Sequence, residues 1–207
     1  TFTIQAGTLN TSNGTVYDMT LGGLNIQGGN LTANSSTISV GGNVYIANTS
    51  GVFTHGTSTV VLTANGTIQC GQSARFYNVT QSNSVTTRIV GTASDAGLQY
   101  DGTLTSGNAN STLRGNGSAC EIKLWGSSAG LVNNGATFTS ANGPMTITYR
   151  SGGQTIAGGT YDATINPAGD GTYNLGGPLT CGRLLIEPVN GADVPFVHTM
   201  GYGLTAG

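Results

Sequence analysis

Thr3-Ile4-Gln5-Ala6-Gly7, followed after a gap by Tyr17-Asp18-Met19-Thr20, is a phrase that this chain repeats. It returns as Thr67-Ile68-Gln69-Cys70-Gly71 with Tyr77-Asn78-Val79-Thr80. It returns again as Thr155-Ile156-Ala157-Gly158-Gly159 with Tyr161-Asp162-Ala163-Thr164. A second phrase, an apolar residue before Gly-Gly, recurs at Leu21-Gly22-Gly23, Val40-Gly41-Gly42 and Leu175-Gly176-Gly177. Each unit reads as a short strand and a turn. A unit of that size cannot bury its own apolar face, so repeated units must stack on one another. The expected product is an elongated rod.

Composition agrees with a rod better than with an ordinary globule. Charged residues are 7% of the chain, where about a quarter is usual. Lys123 is the one lysine beside five arginines, and the net charge is -2. Nucleic-acid binding needs clustered Lys and Arg, so that class is set aside. With 37% apolar residues in short β-rich runs such as Val60-Val61-Leu62, the chain has enough to bury to escape disorder. No apolar stretch approaches the roughly 18 residues of a membrane-spanning helix. No secretory signal is visible. The chain lacks an initiator Met and starts in a strand-like run, so it reads as a mature or excised segment.

Period-two alternation marks the strands. In Cys120-Glu121-Ile122-Lys123-Leu124-Trp125, Cys120, Ile122 and Leu124 share one face, and the other three share the opposite face. Met145-Thr146-Ile147-Thr148-Tyr149-Arg150 splits the same way. No segment shows a helical period. Short strands, Gly/Asn turns and loose repetition favour an all-β, right-handed β-solenoid over a sandwich, which wants longer strands and hairpins. Coils of ~20 residues give about ten coils and a rod roughly 50 Å long. Val60, Leu62, Ile68, Ile122, Leu124, Ile147, Ile156, Leu184 and Ile186 are the expected core, and Tyr17, Tyr77 and Tyr161 should occupy equivalent places. Solenoid repeats are expected over 1–187, irregular at about 98–136 where repetition fades. All five prolines lie between Pro144 and Pro195, which marks 188–207 as a C-terminal cap or connector.

The run Val52-Phe53-Thr54-His55-Gly56-Thr57-Ser58-Thr59-Val60-Val61-Leu62, then Asn65-Gly66-Thr67-Ile68 and Phe76-Tyr77-Asn78-Val79-Thr80, resembles the repeats of large bacterial surface and adhesin-like proteins. Similar repeats occur in phage fibres. Gly153-Gln154-Thr155-Ile156-Ala157-Gly158-Gly159-Thr160-Tyr161-Asp162 is similar to a variant of the same repeat. The resemblance implies a non-enzymatic structural or adhesive β-solenoid on a cell or virion surface, part of a filament, layer or fibre. It carries no catalytic residues to transfer.

The alternative is a carbohydrate-binding or carbohydrate-cleaving β-helix. Its acids would be Asp95 and Asp101, with Arg88 and Arg114 nearby in sequence, grouped around one groove. Turn-capping is the competing reading of both acids. Asp18 and Asp162 match Asn78 in the repeated phrase, and an Asp/Asn exchange fits a side chain that bonds its own turn's backbone, not a catalytic acid. His55 and His198 are isolated, and Gly169-Asp170-Gly171 lacks the acidic partners that Ca²⁺ requires. Neither metal nor cofactor is expected. Trp125, with Tyr149 and Arg150 on later coils, is the candidate sugar or partner contact. Cys70, Cys120 and Cys181 read as buried small residues, with one disulfide as the alternative. Nine Asn-x-Ser/Thr sites, Asn10, Asn13, Asn30, Asn34, Asn48, Asn65, Asn78, Asn110 and Asn116, read as turn and face residues or as glycan acceptors. Phe2, Thr3 and Ile4 form a candidate assembly edge, because an uncapped solenoid end leaves backbone groups open to pairing. Self-association or a neighbouring structural subunit is the expected partnership, with a surface glycan as a further candidate.

Overall fold

In the computed structural model, the structure describes residues 1–47, 50–72, 74–91, 95–117, 120–169, 172–185 and 204–206. They form an all-β solenoid of about eight turns, with no helix among them. Each coil runs along three faces. The first face stacks Phe2–Ile4, Leu24–Ile26, Val44–Ile46, Gly66–Gly71, Thr86–Ile89, Thr112–Asn116, Thr137–Asn142, Gly159–Pro167 and Leu179–Leu184. The third stacks Met19–Leu21, Thr37–Val40, Thr59–Leu62, Asn78–Gln81, Thr103–Thr105 and Gly130–Val132. The second begins with Thr8–Asn10, Asn30–Thr32 and Val52–Thr54, and resumes with Asp95–Tyr100, Cys120–Leu124 and Met145–Tyr149. These stacks are parallel, as a chain advancing one strand spacing per coil requires. One antiparallel contact, Cys70 opposite Gly97, interrupts the pattern where the second face changes strands.

Rows of in-register apolar side chains fill the interior. One row is Leu24, Val44, Ile68 and Ile89. Another is Ile38, Val60, Val79, Leu104 and Leu131. A third carries the aromatics: Phe76, Tyr100, Leu124 and Tyr149. All of these residues are buried. Alternation explains why, since every second side chain of each strand must point inward. Val60, Leu62, Ile68, Ile122, Leu124, Ile147 and Ile156 are buried as expected, Leu184 is half-buried, and Ile186 lies outside the described residues.

Coils are longer than the expected ~20 residues. The first-face step is 20 residues from Leu24 to Val44 but 26 from Thr87 to Leu113. Extra residues enter at the corners, so there are fewer coils than ten, and the stack is about 40 Å long at the usual strand spacing. The stretch 98–136 keeps the same three faces. Of 188–207, only Leu204–Ala206 is described, as a parallel strand beside Leu179, Thr180 and Cys181. The first two Gly-Gly phrases turn the third face into the first, and the third phrase joins Asn174–Leu175 to the first-face strand Leu179–Leu184. Glycine is required in that column: a Cβ on Gly42 would stand 2.6 Å from the Gly22 carbonyl oxygen, and one on Gly66 2.3 Å from that of Gly42.

The third copy of the opening phrase is a correction. Thr3-Ile4 and Thr67-Ile68 both lie on the first face, and Tyr17 and Tyr77 both precede a third-face strand. Thr155–Ile156 instead pairs with Asn174–Leu175, and Tyr161 lies within a first-face strand, opposite Phe138 and Cys181. The three tyrosines are therefore not equivalent. Tyr17 is 59% exposed, Tyr77 half-buried and Tyr161 2% exposed. The third match is one of composition, since Thr, Ile and Gly recur wherever a strand meets a turn.

Candidate functional site

The corner between the second and third faces collects much of the chain's sparse charge. His55 follows the strand Val52–Thr54, Asp101 follows Asp95–Tyr100, Trp125 follows Cys120–Leu124 and Arg150 follows Met145–Tyr149. Asp101, Trp125 and Arg150 hold the same place on successive coils, because Tyr100, Leu124 and Tyr149 before them are in register. Arg75 reaches this column from just before Phe76.

The contacts form one chain along the rod. Asp101 Oδ2 stands 3.1 Å from His55 Nε2, and Asp101 Oδ1 3.5 Å from Arg75 Nη1. The His55 Nδ1–H donates to the Gly56 carbonyl at 2.7 Å, and the ring stacks on Tyr77 at 6.0 Å. The Arg75 guanidinium lies 4.2 Å from the Trp125 ring centroid, and that of Arg150, one coil further on, lies 4.8 Å from it. Each cation is attracted by the negative face of the indole. The Trp125 Nε1–H donates to Gln99 Oε1 at 2.8 Å. Gln99 is fully buried, and its amide nitrogen donates to the carbonyls of Gly71, Gln72 and Ala74. A buried amide of this kind must find partners, and here it ties Gly71, Gln72 and Ala74 to the second face.

Trp125 and Arg150 are thus brought together, as the alternation of their strands implied. Tyr149 is not with them: it is 1% exposed, in the interior row, and its hydroxyl accepts from the Ala157 N–H at 3.3 Å. The Trp125 ring is half-buried and carries both the Arg75 and Arg150 guanidiniums against it, as the centre of a clamp. A depression of about 390 Å³ lies beside the clamp, lined by Phe53, Thr54, His55, Gly56, Arg75 and Asp101. A larger one of about 480 Å³ lies elsewhere, along Gly135, Thr137, Gly159 and Thr160.

Asp101 and Arg114 are not neighbours. Asp101 sits at this corner, while Arg114 points outward from the first face, opposite Arg88 and Thr139. For Asp95 only the backbone is described. Asp18 Oδ1 accepts the Thr37 N–H at 2.7 Å, and Asn78 Oδ1 accepts the Thr103 N–H at 2.8 Å, so the exchangeable Asp/Asn position bonds the next coil's backbone. Asp162 belongs to a different position and accepts from Thr139 and Ser140 of the preceding coil. Among the described residues no three His, Cys, Asp or Glu side chains come together to hold a metal. His198 and Asp170 lie outside them. Cys70, Cys120 and Cys181 are each buried as thiols, and burial pushes the Cys181 thiol up. Among the described residues no helix is long and apolar enough to cross a membrane.

At the candidate assembly edge, Phe2–Ile4 has one strand neighbour, Leu24–Ile26. The Phe2 N–H and the Ile4 carbonyl bond toward that neighbour, so those of Thr3, between them, point to the open side. Phe2 and Tyr17 on this coil are exposed. Ile4 is 6% exposed and faces the core.

Comparison with protein-family models, with curated protein sequences and with solved structures gives no match.

Proposed function

We propose that this chain is a non-enzymatic structural rod, a repeating β-solenoid subunit of an extracellular filament, surface layer or virion fibre. The observation that carries the reading is the stack itself, in which parallel faces run from coil to coil around one in-register apolar interior. Among the described residues the outer strand of each face, Phe2–Ile4, Thr8–Asn10 and Met19–Leu21, pairs on one side, and the Thr3 backbone groups face the other. A second copy of the stack that continues the three faces satisfies those groups. The sparse charge and the outward Ser, Thr and Asn side chains suit a presented surface whose shape is set by backbone stacking. The resemblance to adhesin-like repeats points the same way.

Against the carbohydrate-cleaving alternative stand the separate faces of Asp101 and Arg114 and the engagement of Asp101 by His55 and Arg75. Sedimentation velocity over a wide concentration range tests the proposal. Growth in whole-subunit steps supports it, and a single monomer boundary at every concentration overturns it.

A further inference from the structure

Arg88 and Arg114 occupy directly opposed positions on neighbouring first-face strands. Both point outward, because Thr87 and Ile89 on one strand, and Leu113 and Gly115 on the other, are the buried alternates. Like charges opposed at one strand spacing repel. Both side chains are half-buried, which strengthens the repulsion. Neither takes part in an ion pair among the described residues, and the Arg114 Nε is buried with no hydrogen-bond partner. The other half-buried cations behave differently: Arg75 has Asp101, and Lys123 has Glu121 at 3.0 Å. Arg183 is exposed to water.

The surroundings are hydroxyl-rich. Thr86, Thr112 and Thr137 form an in-register row on the same outward surface. Thr67 and Thr139 bracket the two arginines along their own row. The next residue of that row, Asp162, is engaged by Thr139.

We propose that the Arg88–Arg114 pair is a binding site for an acidic polysaccharide, held by a carboxylate or sulfate group between the two guanidiniums. An oxyanion supplies the charge that offsets the repulsion, and the two guanidiniums on adjacent coils can each grip it in bidentate fashion through their terminal nitrogens. The threonine rows offer donors and acceptors to sugar hydroxyls on either side. A flat face suits a polymer lying across it. Two isolated arginines on a chain of net charge -2 do not make the broad basic surface that nucleic acid requires. The inference builds on the rod as a presented surface, yet it concerns the face and not the end.

The test uses the full chain and, as probes, polygalacturonate, dextran sulfate, uncharged dextran and inorganic sulfate. Calorimetric titration is expected to show binding of an acidic polymer, none of dextran, and a loss of about tenfold or more in Arg88→Gln and in Arg114→Gln. The same variants should melt no lower than wild type without ligand, since each removes a like-charge repulsion. In labelled wild type, the Arg114 Nε–Hε resonance should move as polymer is added. Unchanged affinity in both variants, an unmoved resonance, or lower melting temperatures in both would overturn the proposal. So would inorganic sulfate binding as tightly as the polymers, which marks an adventitious ion only. Association of the rods is read separately by sedimentation, so failure of that reading and failure of this one are distinct results.

Discussion

Gln99 and Trp125, on adjacent coils, are joined by a 2.8 Å bond from the indole N–H to the amide oxygen. Through it the surface clamp of Arg75, Trp125 and Arg150 is anchored to a fully buried amide that also holds three backbone carbonyls. Gln99→Leu removes the amide bonds to those carbonyls and to the indole. It should cost about 3 kcal/mol or more in denaturant unfolding. Trp125→Phe keeps a ring against the guanidiniums and loses the bond alone, so about 1 kcal/mol is expected.

The interior tyrosines set an alkaline limit. Burial holds Tyr100 and Tyr149 well above the ordinary phenol range and pushes Tyr161 up to about 12 from 10.0. The folded state therefore favours the neutral phenol. That contribution is fully present below about pH 10 and is lost as pH rises toward the folded values. Melting temperature should hold up to about pH 10 and then fall steeply, together with the appearance of tyrosinate absorbance. Tyrosinate absorbance from all eight tyrosines near pH 10 with the fold intact would contradict the burial.

The Asp/Asn position of the repeat needs only an acceptor. Asn78→Asp keeps the bond to the Thr103 N–H and should change stability by less than about 0.5 kcal/mol, while Asn78→Ala should cost about 1 kcal/mol. Equal losses in both variants would mean that the Asn78 donor matters instead.

Much of the fold is legible in the sequence because its rule is local. Alternation in Cys120–Leu124 and Met145–Tyr149 puts the right residues inside, and the Gly-Gly phrases mark one corner of the coil. The corner cluster is only partly legible. Trp125 and Arg150 are joined by strand alternation, but His55, Arg75 and Asp101 meet them only after coils of unequal length are set in register, and the corner insertions that make them unequal leave no periodic signal. The same irregularity misplaced Tyr161 and left the Arg88–Arg114 opposition unseen. Asp18 and Asn78 were readable as backbone-bonding side chains, but the partner lies one coil away and not in their own turn.

The thiols offer a simple check on the core. Cys70, Cys120 and Cys181 are all buried. Alkylation of the native protein at neutral pH should be slow at all three and become rapid on unfolding. Fast labelling of any one without denaturant would contradict its placement.

Coil-to-coil association of the rods is tested at Thr3, whose backbone groups face away from Leu24–Ile26. Proline at position 3 removes an outward N–H while the bonds of Phe2 and Ile4 to the next coil remain. Ile4→Lys is unsuitable, because Ile4 faces the core. Electron microscopy of wild type and Thr3→Pro at matched concentration is the direct measurement. The account predicts rods growing in steps of about 40 Å in the wild type and single folded units in the variant. Single units in both, or undiminished rods in Thr3→Pro, would contradict it.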